Sequence, residues 1–135
     1  MIARGYSCTM RRPSAVCGWV LLLFVVGCGQ QRGPTRYDLS GSVTYRGQPV
    51  PAGWIFLDPD SSRGNSGPGS VGTIRDGRYE TAPGKGTVGG PHVATVNGRD
   101  GVPNGEIPGG LPLFAPYSMK IDLPKESSTY DFNGP

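Results

Sequence analysis

The sequence is short of the residues that build metal centres and nucleophilic triads. It holds one histidine, His92, and three cysteines, Cys8, Cys17 and Cys28, in 135 residues. A zinc site at His92 would need three carboxylates beside it, and a histidine-assisted nucleophile has only one place to be built. Beyond Cys28 no thiol remains, so the chain that follows is held without a disulfide even in an oxidising compartment. Uninterrupted segments are also scarce. With 23 glycines and 14 prolines, the longest stretch after Cys28 free of both is residues 125–133. Glycine costs about 1 kcal/mol inside a helix and proline about 3, so helices are nearly excluded.

Charge of one sign is missing from most of the chain. The formal net charge is +3, and Arg4, Arg11 and Arg12 account for all of it. The remainder is balanced, so no nucleic-acid partner is expected. Residues 1–27 stand apart in other ways. They carry no acidic residue, and from Ala15 to Gly27 they read AVCGWVLLLFVVG without a charge. That run would span about 20 Å as a helix, short of the roughly 30 Å hydrocarbon core of a bilayer. A basic start, a short apolar run and a small residue at its end form an export signal rather than a permanent membrane span. Met10 stands directly before Arg11-Arg12, so translation starts at Met1 or at Met10.

The segment ends on Val25-Val26-Gly27-Cys28, which resembles the lipobox of bacterial lipoproteins: an aliphatic residue, a small residue, then cysteine. The resemblance implies that the Cys28 sulfur is alkylated by a diacylglycerol and that the signal is cut before it. One acyl chain holds a protein only marginally at a membrane, and two or three make the anchor stable. The expected organisation is a lipoprotein signal peptide over 1–27, a lipidated Cys28 with a polar tether over 28–36, and a folded domain over 37–135.

That domain has a thin apolar supply. Leu, Ile, Val and Phe make up less than about a fifth of it, a level that warns of disorder, but the high net charge that accompanies disorder is absent. Tyr37, Tyr45, Trp54, Tyr79, Tyr117, Met119 and Tyr130 add to the core. The segments between glycines and prolines alternate as strands do. Tyr37, Leu39, Val43 and Tyr45 share one face. Arg46-Gly47-Gln48-Pro49 reads as a turn. Trp54-Ile55-Phe56-Leu57 is predicted as a strand buried on both faces, with Trp54 in the core. Residues 58–70 form a polar loop. Val71, Thr73 and Arg75 lead to the hairpin signal Asp76-Gly77, and Arg78–Thr81 returns. Residues 92–97 form a further strand and 98–116 a long loop. Tyr117–Leu123 is a strand with Met119, Ile121 and Leu123 on one face, and Thr129–Phe132 closes the domain with Tyr130 and Phe132 together.

The run LSGSVTYRGQPVPAGWIFLDPD resembles the opening of carboxypeptidase-regulatory-like domains. TIRDGRY, APGKG with PHVATV, and MKIDLPKESSTYDF are similar to that family's later strands and closing hairpin. The match in order covers residues 37–132 and is nearest to the small lipid-anchored versions found in planctomycete bacteria. It implies an all-β fold, a transthyretin-like or immunoglobulin-like β-sandwich of about seven short strands. In the carboxypeptidases this domain is a non-catalytic appendage, and none of their catalytic residues has a counterpart here.

No catalytic, metal or cofactor site is assigned. His92, at a strand start after Pro91, is expected at the surface or rim. Asp58 and Asp60 flank Pro59 as solvated loop acids and lack the spacing of a calcium loop. In Gly84-Lys85-Gly86-Thr87 a glycine separates Lys85 from Thr87, unlike a phosphate loop, so the segment reads as a turn. The single site residue is Cys28, for lipid attachment.

The expected function is a non-enzymatic, lipid-anchored cell-envelope protein with a structural or binding domain. It would sit on the periplasmic side or at the outer membrane, with the membrane and an envelope protein or polysaccharide as partners. The alternatives are a carbohydrate- or peptide-binding protein using Phe114 or Tyr117, and a hydrolase of transthyretin-related type. Those hydrolases use several histidines on one face, where this chain has one.

Overall fold

The computed structural model describes residues 32–135. The signal segment and Cys28 lie outside the described residues.

The strands follow the alternation of the sequence. They are β1 (Leu39–Tyr45), β2 (Gln48–Pro49), β3 (Ala52–Pro59), β4 (Ser70–Arg75), β5 (Arg78–Thr81), β6 (Gly90–Arg99), β7 (Tyr117–Leu123), β8 (Ser128–Thr129) and β9 (Phe132–Gly134). They form a curled, largely antiparallel sheet in the order β2-β1-β5-β4-β3-β6-β7, with β8 and β9 also paired to β1. The fold is all-β and sandwich-like, as expected. Nine strands replace the seven or so anticipated, because β2, β8 and β9 are two- or three-residue pieces that alternation cannot reveal.

One face of the sheet closes on the core. Leu39 and Val43 from β1, Ile55 and Leu57 from β3, Ile74 from β4, Tyr79 from β5, Ala94 and Val96 from β6, Ile121 and Leu123 from β7, and Phe132 from β9 are all buried. Within a strand these residues sit two or four apart, on one face, as a half-buried sheet requires. An aromatic cluster completes the core. Tyr79 meets Phe132 at 5.4 Å between ring centroids, and Phe132 meets Tyr130 at 4.9 Å. Tyr45 stacks on Phe114 at 4.4 Å, and Phe114 lies 5.7 Å from Tyr117.

Two hairpins turn on two-residue loops. Arg46-Gly47 and Asp76-Gly77 both have positive φ at both central positions (50° and 75°, 49° and 76°). That is the geometry whose twist matches the flanking strands. Gln48 and Pro49, expected as part of the turn, pair back onto Tyr45 and Thr44.

Three further expectations are corrected. The strand over 52–59 is not buried on both faces: Ile55 and Leu57 point inward, Phe56 is exposed, and Trp54 is half-buried on the outer side. The strand predicted over 92–97 extends to Gly90–Arg99, because β6 lies between β3 and β7 and pairs with both along most of its length. The chain end does not return as a hairpin. Leu39–Ser40 pair in parallel with Ser128–Thr129, and Val43–Tyr45 with Phe132–Gly134. Gly41 of β1 permits this, since a Cβ there would collide with the Tyr130 carbonyl.

The loops are tied down by polar side chains. Asp60 caps a single 3-10 turn, Ser61–Arg63, by accepting from the Ser62 N–H at 3.0 Å and from the Ser62 hydroxyl. The Asn65 amide donates to the Gly89 and Pro91 carbonyls. In the long loop, Asp100 Oδ1 accepts from the N–H groups of Val102 (2.9 Å) and Leu111 (3.0 Å). Arg36 and Tyr37 fix the segment that precedes β1. Arg36 donates to the Gly86 and Gly69 carbonyls, each at 2.7 Å, and the Tyr37 N–H donates to the Thr87 carbonyl.

Candidate functional site

The side chains singled out in the sequence are scattered. His92 is wholly buried, which corrects the rim placement. It sits on the inward face of β6, between Ile121 on β7 and Pro59 on β3 in the strand register. Its Nδ1–H donates to the Gly90 carbonyl at 3.0 Å, which leaves Nε2 as an acceptor. Nε2 is buried without a partner.

Asp60 is also buried, at 5% exposure, against the expectation of a solvated loop acid, whereas Asp58 is exposed. Its pKa is lowered, first by the Ser62 hydroxyl, against the opposing effect of burial, with Lys120 assisting from 3.6 Å. The turn lies earlier than expected, over Ala82–Lys85, closed by Lys85 N–H to the Ala82 carbonyl, while Thr87 is buried and bridges to Tyr37. Among the described residues, no group of three or more His, Cys, Asp or Glu side chains is placed to hold a metal ion. No helix among them is long and apolar enough to cross a membrane.

Phe114 and Tyr117, the expected contacts for a carbohydrate or peptide, belong to the aromatic cluster. Phe114 lies between Tyr45 and Tyr117 and over Gly98, where a Cβ would collide with its ring. The Tyr117 hydroxyl is buried without a partner, and burial raises its pKa.

The exposed aromatic ring, Phe56, lies elsewhere, with half-buried Trp54 on the same outer face of β5, β4, β3 and β6. Strand register arranges that face in rows. The first row runs Ser42, Arg78, Arg75, Ala52, Arg99; the second runs Ser40, Glu80, Thr73, Trp54, Asn97; the third runs Val71, Phe56, Thr95, Ser118. Phe56 and Val71 are neighbours across β3 and β4 and are 42% and 45% exposed. The Arg99 guanidinium lies 5.1 Å from the Trp54 ring centroid and donates from Nη1 to the Gly110 carbonyl at 2.8 Å, which holds the indole in place. On the β4–β5 side the face dips into an open groove lined by Ser40, Thr73, Arg75, Arg78, Glu80 and Pro83.

The charges on this face are unusual in one respect. Arg75 and Arg78 stand directly opposite each other, an arrangement that destabilises a sheet pair. The ion pairs found among the described residues are Arg63–Asp122 and Lys120–Asp60, and neither involves these arginines. Asp131 is near enough to Arg78 for its own pKa to be lowered slightly by it, but Asp131 is committed to Ser42. The face therefore offers an apolar strip, a set of hydroxyl and amide groups, and a cationic row at one end. Sequence reading missed it because Trp54 and Phe56 sit in an unbroken apolar run, and their direction depends on which neighbour of Ile55 faces the core.

Searches against family models, curated proteins and solved structures found no match.

Proposed function

We propose that the chain is a non-enzymatic, lipid-anchored protein of the bacterial cell envelope, and that its β-domain is a binding module. The observation that carries the binding part is the outer face of β3 and its neighbours, where apolar, hydroxyl, amide and guanidinium groups are presented together beside an open groove. An open face of this kind suits an extended partner better than a small substrate, which calls for an enclosed site. His92, the base that a hydrolase of transthyretin-related type would require, is walled into the core. That position supports the non-enzymatic reading. The lipobox-like Val25-Val26-Gly27-Cys28 supports the anchor, and the ordered motifs over 37–132 support kinship with carboxypeptidase-regulatory-like domains.

The anchor is tested by growing expressing cells with a clickable fatty acid. The full-length protein should take up the label and partition with membranes. Cys28→Ser should not take up the label. Equal labelling of both forms, or of neither, contradicts the proposal. The location is the outward side of the inner membrane or the outer membrane, which separation of the two membranes distinguishes.

A further inference from the structure

Resting on the binding-module reading, we propose that the outer face of β5, β4, β3 and β6 binds an acidic polysaccharide. Three features select that class. The exposed Phe56 and Val71 pair, with half-buried Trp54 beside it under the Arg99 guanidinium, matches the apolar C–H faces of sugar rings, and Phe56 and Val71 are held exposed despite the cost of apolar surface in water. Thr73, Asn97, Thr95 and Ser118 flank the strip in register and supply donors and acceptors at the spacing of adjacent strands, about 4.8 Å. Sugar hydroxyls on either side of a stacked ring call for such groups.

The third feature is charge. Arg75 and Arg78 face each other with no carboxylate bonded to either among the described residues, so an anion between them relieves their repulsion. Guanidinium groups bind carboxylates through paired parallel hydrogen bonds. Glu80 lies in the neighbouring row beside Thr73 and repels the same anion, which places the carboxylate on the Arg75–Arg78 side of the groove.

The test uses full-length Cys28→Ser protein, so that anchoring plays no part, in affinity electrophoresis through gels containing polygalacturonate, neutral dextran or polyglutamate. Polygalacturonate should retard the protein, while dextran and polyglutamate should retard it at least ten-fold less. Arg75→Ala with Arg78→Ala should weaken polygalacturonate binding about ten-fold or more, and Trp54→Ala should weaken it by a similar factor. The double Lys variant at 75 and 78 should lose less, and Arg63→Ala should change nothing. Circular dichroism checks that each variant is folded. Absence of retardation by polygalacturonate overturns the proposal. So does equal retardation by polyglutamate with no effect of Trp54→Ala, because the face would then be sensing charge alone. Either failure leaves the anchor untouched, since fatty-acid labelling reads the anchor independently.

Discussion

Asp131 stands in for a backbone acceptor opposite Ser42: its Oδ1 accepts from both the Ser42 N–H and the Ser42 hydroxyl at 2.8 Å. It lies between β8 and β9, which pair with β1 in one register that is interrupted at Gly41 and Ser42. Its pKa is lowered, chiefly by the Ser42 N–H, as that of Asp60 is by Ser62.

Both carboxylates are more acidic folded than unfolded. Their stabilisation is complete above the unfolded value, about 3.9, and is lost as pH falls through the lower folded values. Thermal melts should be insensitive to these two groups from about pH 5 to 7 and fall below about pH 4. Asp131→Asn should melt lower at pH 7 and lose less on acidification. An unchanged melting temperature at pH 7 would show that the Ser42–Asp131 link is idle.

The two faces of β3 should respond to truncation by different amounts. Ile55→Ala empties a fully buried site and should cost about 2–5 kcal/mol. Trp54→Ala, on the outer face, should cost about 1 kcal/mol or less, mainly its contact with Arg99. Urea titration followed by circular dichroism measures both. A Trp54→Ala loss as large as that of Ile55→Ala would put the indole in the core.

Gly41 is the tightest point of the chain-end pairing. Gly41→Ala should destabilise by at least about 1–3 kcal/mol, the usual cost of overpacking, because its Cβ would meet the Tyr130 carbonyl and the Tyr79 ring. The loss should fall if the chain is cut before Tyr130, since the truncated form lacks the Tyr130 carbonyl and keeps only the looser contact with the Tyr79 ring. A Gly41→Ala variant as stable as the parent would mean that β8 and β9 do not lie against β1.

The strands were legible where apolar and polar residues alternate cleanly, as in Leu39–Tyr45 and Tyr117–Leu123, and where Asp76-Gly77 fixes a turn. Trp54-Ile55-Phe56-Leu57 was misread because four apolar residues in a row carry no period. Only the pairing of Phe56 with Val71 and Thr95 reveals that alternate members face outward. His92 was misread because a polar residue at a strand start after proline reads as rim, and Asp60 because a carboxylate after proline reads as loop. Burial comes instead from long-range partners: β7 beside His92, and Lys120 with the Pro91 carbonyl beside Asp60. The candidate site was invisible for a related reason. Arg75, Arg78, Trp54 and Arg99 come from four strands, and only sheet register brings them together.

The most direct test of the envelope assignment is mass spectrometry of the full-length product purified from membranes of the expressing cell. The account predicts a chain beginning at Cys28 and carrying a diacylglyceryl thioether on its sulfur. A chain that keeps residues 1–27 with Cys28 unmodified would contradict it.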